Sequence, residues 1–126
     1  EMYFDAIENG KYECFVNKDT RLPMMFMDDA IRATLDLMEA PLESLNYHSN
    51  YNLSSMSFSA EELENEIKSH LDFDCSYNPD YRQDIADTWP ISINDEDARK
   101  DWGWQPKFDI TKMTEEMITN LRRLNE

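Results

Sequence analysis

Two arginines and a tryptophan are the side chains of this 126-residue chain best suited to recognising a small molecule. Arg21 and Arg82 each stand at the entrance of an ordered segment, where a planar guanidinium can grip a carboxylate or phosphate with two parallel hydrogen bonds. Twenty-seven acids against twelve Lys and Arg offer both arginines an alternative role as internal ion-pair partners. Trp89 precedes Pro90, which biases it toward an extended backbone, so its ring leaves an extended segment and can line a pocket. Burial in a core or at its boundary is the ordinary use of such a ring and competes with that role.

Other reactive residue types offer less. His48 lies in a polar loop and His70 at a helix end, where it suits the dipole, and no cysteine or carboxylate completes a metal-ligand pattern around either. The pairs Asp28-Asp29 and Glu61-Glu62 begin helices, so capping accounts for them without acid/base catalysis. Cys14 and Cys75 are too few and too distant for a disulfide framework or a zinc motif, and read as buried thiols. Gly10 and Gly103 are the only glycines, so the chain carries no glycine-rich loop for a dinucleotide or triphosphate. The eight methionines follow helix and strand periodicity and belong to the core.

The elements that must position these residues follow from pattern. Tyr3, Phe4 and Ile7 form a helical stripe that stops at Asn9-Gly10. Tyr12–Val16 alternates like a strand, Asn17–Thr20 has turn chemistry and Leu22–Met27 is an apolar run, which together suggest a hairpin or paired strands with Pro23 at a start or edge. Asp28 or Asp29 can cap a helix in which Ile31, Leu35 and Met38 recur before Pro41 closes it. Leu42–Asn50 is polar connection and Asn50–Ser55 is strand-like. Ser59-Ala-Glu-Glu62 is a capping box opening a helix to about His70, and Phe73–Tyr77 alternates as a further strand. Asn94 or Asp95 can cap a short helix ending at Gly103 in the left-handed C′ position, with Trp104 folded back over Ala98 and the Arg99 stem. A last helix, Thr111 to about Arg123, places Met113, Met117, Ile118 and Leu121 on one side.

Composition bounds the class. The length suits one domain with a core and is too short for a dinucleotide fold plus a substrate domain. Hydrophobic residues at 40% and charged residues at 31% describe a globular chain rather than a disordered one. A net charge of −15 disfavours nucleic acid and anionic membrane as partners. No run reaches the length of a membrane helix, and the N-terminal residues have neither a basic nor an apolar leader region, so the chain reads as cytoplasmic. Beginning at Glu1, without Met and in what reads as mid-helix, it is expected to be a piece of something longer.

Three segments in order, TRLPMMFMDDAIRATLDLMEAP (Thr20–Pro41), YNLSSMSFSAEEL (Tyr51–Leu63) and Tyr81–Pro90 followed by DEDARKDWGW (Asp95–Trp104), together resemble the C-terminal part of the L-threonine 3-dehydrogenases. These are extended short-chain dehydrogenases, similar in fold to nucleotide-sugar epimerases. The resemblance covers essentially the whole chain. It implies an α/β (α+β) fragment: a single substrate-binding lobe over 1–126, short strands alternating with about four to five helices, with some strands and a helix returning to the sheet of an absent Rossmann half.

In that family the Rossmann half binds NAD and carries the glycine-rich loop, the catalytic tyrosine and its lysine, none of which is in this sequence. The family oxidises the threonine 3-hydroxyl to 2-amino-3-oxobutanoate. The resemblance therefore implies no catalytic residue, no NAD binding and no metal in this chain alone, with L-threonine and the Rossmann half as partners. It places Trp89 where the family closes the substrate pocket. Arg21 falls where sugar-nucleotide enzymes contact phosphate, which threonine lacks, and Leu22, Met24 and Arg82 are second-tier pocket residues. The lobe of a nucleotide-sugar epimerase or dehydratase, or an autonomous acidic binding module, are the competing readings. In an extended dehydrogenase the Leu22–Met27 run and the Ile31, Leu35, Met38 face pack partly on Rossmann elements, so the lobe alone is expected to self-associate.

Overall fold

A computed structural model describes residues 1–48 and 50–124. Six α-helices and four short strands alternate through them: α1 (Met2–Glu8), β1 (Lys11–Cys14), β2 (Arg21–Met24), α2 (Met27–Glu39), β3 (Met56–Ser59), α3 (Ala60–Lys68), β4 (Asp74–Tyr77), α4 (Tyr81–Ala86), α5 (Glu96–Trp102) and α6 (Ile110–Leu124). This is the mixed α/β lobe expected, with one helix more than the pattern suggested. That helix, α4, is a short turn held by Asp80, whose carboxylate accepts from the Arg82 amide at 2.9 Å; six residues are too few to show a periodic stripe.

The strands do not form the hairpin expected of Tyr12–Val16 and Leu22–Met27. β1 instead pairs in parallel with β4, Lys11 opposite Asp74 and Cys14 opposite Tyr77. β2 pairs antiparallel with β3, Arg21 opposite Ser59 and Met24 opposite Met56. The intervening 17–20 segment turns away because its polar groups find partners elsewhere. The Thr20 carbonyl accepts from Ala60 N at 3.2 Å and the Lys18 carbonyl from Glu61 N at 2.9 Å. Gln83 Oε1 accepts from Asn17 N at 2.7 Å and from Thr20 Oγ1 at 3.1 Å. The parallel pairing of β1 and β4 then requires the long crossover that β2, α2, β3 and α3 supply.

Residues 50–55 form no strand. Their backbone is held by side chains: Ser54 N donates to Asp95 at 3.3 Å, and the Ser54 carbonyl accepts the Trp104 indole N–H at 2.9 Å. Met27 already begins α2, cutting the second strand short at Met24. The capping box forms as expected, with Glu62 N donating to Ser59 Oγ at 3.2 Å and Ser59 N to Glu62 Oε2 at 3.0 Å. Neither Asp28 nor Asp29 caps α2, whose N-cap is Phe26.

The larger core joins α1, α3 and α6 to the strands through Met2, Tyr3, Phe58, Ile67, Met113 and Ile118. The Tyr3 hydroxyl lies 2.7 Å from Thr114 Oγ1, and burial pushes its phenol up to about 12. Glu64, also buried, accepts from Lys68 Nζ at 2.6 Å and from the Tyr77 hydroxyl. Gly10 turns α1 into β1 at φ 64°, and Gly103 ends α5 at φ 72°, the left-handed geometry foreseen for C′.

A smaller core joins α2 to α5 through Ala33, Ala98 and Trp104. Trp104 N donates to the Ala98 carbonyl at 3.2 Å. The cation over the Trp104 ring is Arg32, 4.8 Å from its centroid, rather than the Arg99 stem; Arg99 is drawn off to Asp95 at 2.8 Å.

Candidate functional site

Arg21 is fixed by the β2–β3 ladder. Its Nη1 donates to the Ser57 carbonyl at 2.6 Å and its Nη2 to Glu62 Oε1 at 2.5 Å. Two donors are thereby committed within the protein, as the acid-rich composition allowed. The Ser59 amide and the Arg21 guanidinium together hold the Glu62 carboxyl below its usual range. Leu22 and Met24 lie on the opposite face of the ladder, beside Phe58 and Met56, because successive strand side chains alternate. Of the two, Leu22 is half-buried and Met24 is exposed.

Arg82 is positioned elsewhere, at the C-terminal ends of β1 and β4. Its Nε and Nη2 reach the Asp80 carboxylate at 3.0 and 2.7 Å, and its Cζ lies 3.4 Å from the Phe15 ring centroid. The Asp80 hydrogen bonds raise the Arg82 pKa and lower that of Asp80. The structure thus gives this arginine an internal carboxylate and an aromatic face.

Trp89 is 57% exposed, so it serves neither core. It follows the last turn of α4, where Trp89 N donates to the Ala86 carbonyl at 3.1 Å. Two residues later the Ile91 carbonyl accepts from the Ser57 hydroxyl. Ser57 therefore brings the Trp89–Ile91 segment to the same ladder edge that holds Arg21. Tyr81, Ile85 and Ile91 are exposed along with Trp89. A groove of about 510 Å³ runs from Ser57 and Phe58 to Glu66 and Ile110, and neither Arg21 nor Trp89 lines it.

Sequence reasoning missed Ser57 and Gln83. A serine in a strand and a glutamine in a short helix carry no spacing signal; only the register and the α4 turn reveal what they hold.

His70 lies 3.2 Å from Glu66 Oε1, and His48 is exposed. Cys14 is buried, and burial pushes the Cys75 thiol up to about 11, away from nucleophilic use. Among the described residues no group of three or more His, Cys, Asp or Glu side chains is placed to hold a metal ion, and no helix is long and apolar enough to cross a membrane. Gly10 and Gly103 both stand at turns with positive φ.

No family model matches the sequence. The mitochondrial L-threonine 3-dehydrogenase of Bos taurus is 48% identical over 94% of this chain, and an uncharacterised epimerase/dehydratase of Staphylococcus haemolyticus is 46% identical over the same share. The chain spans 32% and 38% of their lengths, about a third of each. Among solved structures, a monomeric L-threonine 3-dehydrogenase from a metagenome superposes with a TM-score of 0.95 at 86% identity, over 99% of this chain and 41% of that one. In sequence and fold the chain therefore matches a C-terminal part of the L-threonine 3-dehydrogenases, which are of the extended short-chain dehydrogenase type.

Proposed function

We propose that the chain is the substrate-binding lobe of an NAD-dependent L-threonine 3-dehydrogenase, inactive alone and completed by a Rossmann half that brings the cofactor, the tyrosine base and its lysine. The observation that carries this is the 86% identity across nearly the entire chain to a solved threonine dehydrogenase. In the full enzyme, Trp89 closes the threonine pocket. Arg21 borders it from one face of the β2–β3 ladder; Leu22 and Met24, on the opposite face, back that wall from the second tier, and Arg82 contributes through α4, whose end leads into the Trp89 segment. Threonine and NAD are small and anionic or zwitterionic, and neither nucleic acid nor membrane has a part in this reading. The enzyme works in the cytoplasm; its bovine relative is named mitochondrial.

The outer face of α2 supports the need for a Rossmann half. Met27, Ile31, Leu35 and Met38 are all exposed, Met38 by 76%. The 86% identical relative is described as monomeric, which favours cover from within one full-length chain over cover by a second copy. The isolated lobe, lacking that cover, self-associates through this face.

The staphylococcal relative favours a second reading, the lobe of a nucleotide-sugar epimerase or dehydratase. A sugar diphosphate calls for free arginines or lysines. Arg21 is already tied to Glu62 and Ser57, which weighs toward the amino acid.

Trp89→Ala in the full-length enzyme tests the pocket assignment. The KM for threonine rises and kcat falls, because an open pocket admits water and loosens substrate placement. Thermal stability stays within about 0.5 kcal/mol of the parent, as for other exposed positions. An unchanged kcat/KM would return Trp89 to a purely structural role.

A further inference from the structure

Ser57 occupies a position in the β2–β3 ladder that the substrate assignment does not use. Its carbonyl accepts from Arg21 Nη1 at 2.6 Å, and its hydroxyl donates to the Ile91 carbonyl. One residue thus grips the arginine of β2 through its backbone and the Trp89–Ile91 segment through its side chain. Opposite it in the register stands Pro23, which has no N–H to give to the ladder.

The rest of residues 88–93 is held only locally among the described residues. Thr88 N and Trp89 N donate to the Ile85 and Ala86 carbonyls at 3.1 Å each, and Thr88 Oγ1 donates to Ile85 at 2.7 Å. The next fixed point is the Asn94 side chain, which accepts from Glu96 N at 2.9 Å. Trp89 and Ile91 are both exposed, so burial does not set the height of this segment above the ladder. The Ser57 hydroxyl is the tertiary tie that does.

Resting on the substrate-lobe reading, we propose that Ser57 is a positioning residue for threonine: its hydrogen bond to Ile91 fixes the segment that carries Trp89 at the distance from the Arg21 edge at which the ring closes the pocket. The bond touches neither substrate nor cofactor. Its loss lets the segment ride outward, and the ring then covers the pocket for only part of the time. The apparent affinity for threonine falls in proportion to the fraction of time the ring is closed. The vacated Ile91 carbonyl is exposed enough to be satisfied by water, so the fold survives.

The test uses the full-length enzyme carrying this lobe, with Ser57→Ala, Ser57→Thr, Trp89→Ala and the Ser57→Ala/Trp89→Ala double variant. One net hydrogen bond corresponds to roughly a 2- to 12-fold effect on binding. Ser57→Ala is expected to raise the KM for threonine by about that factor and to leave the KM for NAD and the melting temperature near the parent's. Ser57→Thr keeps the hydroxyl and restores the threonine KM. In the Trp89→Ala background, removing the hydroxyl has no further effect, because the ring it positions is gone.

An active parent with a normal threonine KM in Ser57→Ala overturns the proposal and spares the function. So does a KM effect of equal size with and without Trp89. A folded parent with no threonine-dependent activity overturns the functional reading itself, and the positioning role falls with it.

Discussion

The two faces of α2 are built on opposite rules. Its inner face buries charge. Asp29, fully buried, accepts from Lys107 N and Phe108 N at 3.0 Å each and from Arg32 Nη2 at 2.8 Å. Arg32 also donates to the Gln105 carbonyl at 2.6 Å and lies over Trp104. Its outer face, by contrast, exposes Met27, Ile31, Leu35 and Met38 to water. Here the inner side, through Asp29 and Arg32, ties down the 105–108 segment, and the outer side is apolar. The contrast separates the contacts that hold the fold from a face that, under the proposed function, a Rossmann half would cover.

Removing the buried charge cluster should break the inner rule most severely. Asp29→Ala leaves Arg32 without its buried partner and frees two backbone amides, a loss of about 3–5 kcal/mol. Denaturant titration followed by tryptophan fluorescence measures it, and a loss below about 1 kcal/mol would contradict the clamp. Trp104→Ala, at a ring only 1% exposed, should cost a similar 3–5 kcal/mol by cavity formation. Because Arg32 touches both Trp104 and Asp29, the double variant should lose less than the sum.

The inner face also predicts an acid limb. Burial opposes the Asp29 charge, but Arg32 and the Phe108 and Lys107 amides prevail and hold its carboxyl below the usual range. Tyr51 and Asn46 do the same for Asp101. A carboxylate whose folded pKa is depressed contributes stability above its unfolded value, about 4, and loses it as pH falls through the folded value. Stability should therefore hold between pH 7 and 5 and decline below about pH 4. Asp29→Asn, destabilised throughout, should show a shallower decline. An equal slope in both proteins would mean that Asp29 is not part of the limb.

Substitutions on the outer face should barely affect folding. Leu35→Glu is expected to change stability by no more than about 0.5 kcal/mol while abolishing self-association of the isolated lobe. The net charge of −15 should limit the expected association without preventing it, since the Debye length at physiological salt is about 8 Å. Sedimentation equilibrium over a range of concentrations reads it directly. A single 15.0 kDa species for the parent would show that the face needs no cover.

The same contrast explains what the sequence disclosed. Local chemistry was readable: the Ser59 capping box, the Gly103 turn and the α6 stripe all depend on residues within a few positions of one another. The wrong hairpin and the unformed strand at 50–55 both came from pairing, which depends on partners far along the chain. Alternation in Asn50–Ser55 was real, but Asp95 and Trp104 take up its backbone groups. At the candidate site, Trp89 and Arg21 were visible as residue types, whereas Ser57, which joins their segments, was not. Arg82 attracted attention for its guanidinium, and only the geometry shows it spent on Asp80 and Phe15.

The proposed division of labour between this lobe and a Rossmann half is tested most directly by following NADH formation with threonine as substrate, comparing this chain with the full-length enzyme. The isolated lobe should give none, because it cannot assemble an oriented nicotinamide and a general base, and the full-length enzyme should give NADH that depends on threonine. Threonine-dependent NADH from the 126-residue chain alone, or a folded full-length enzyme that turns over a nucleotide sugar and ignores threonine, would contradict the account.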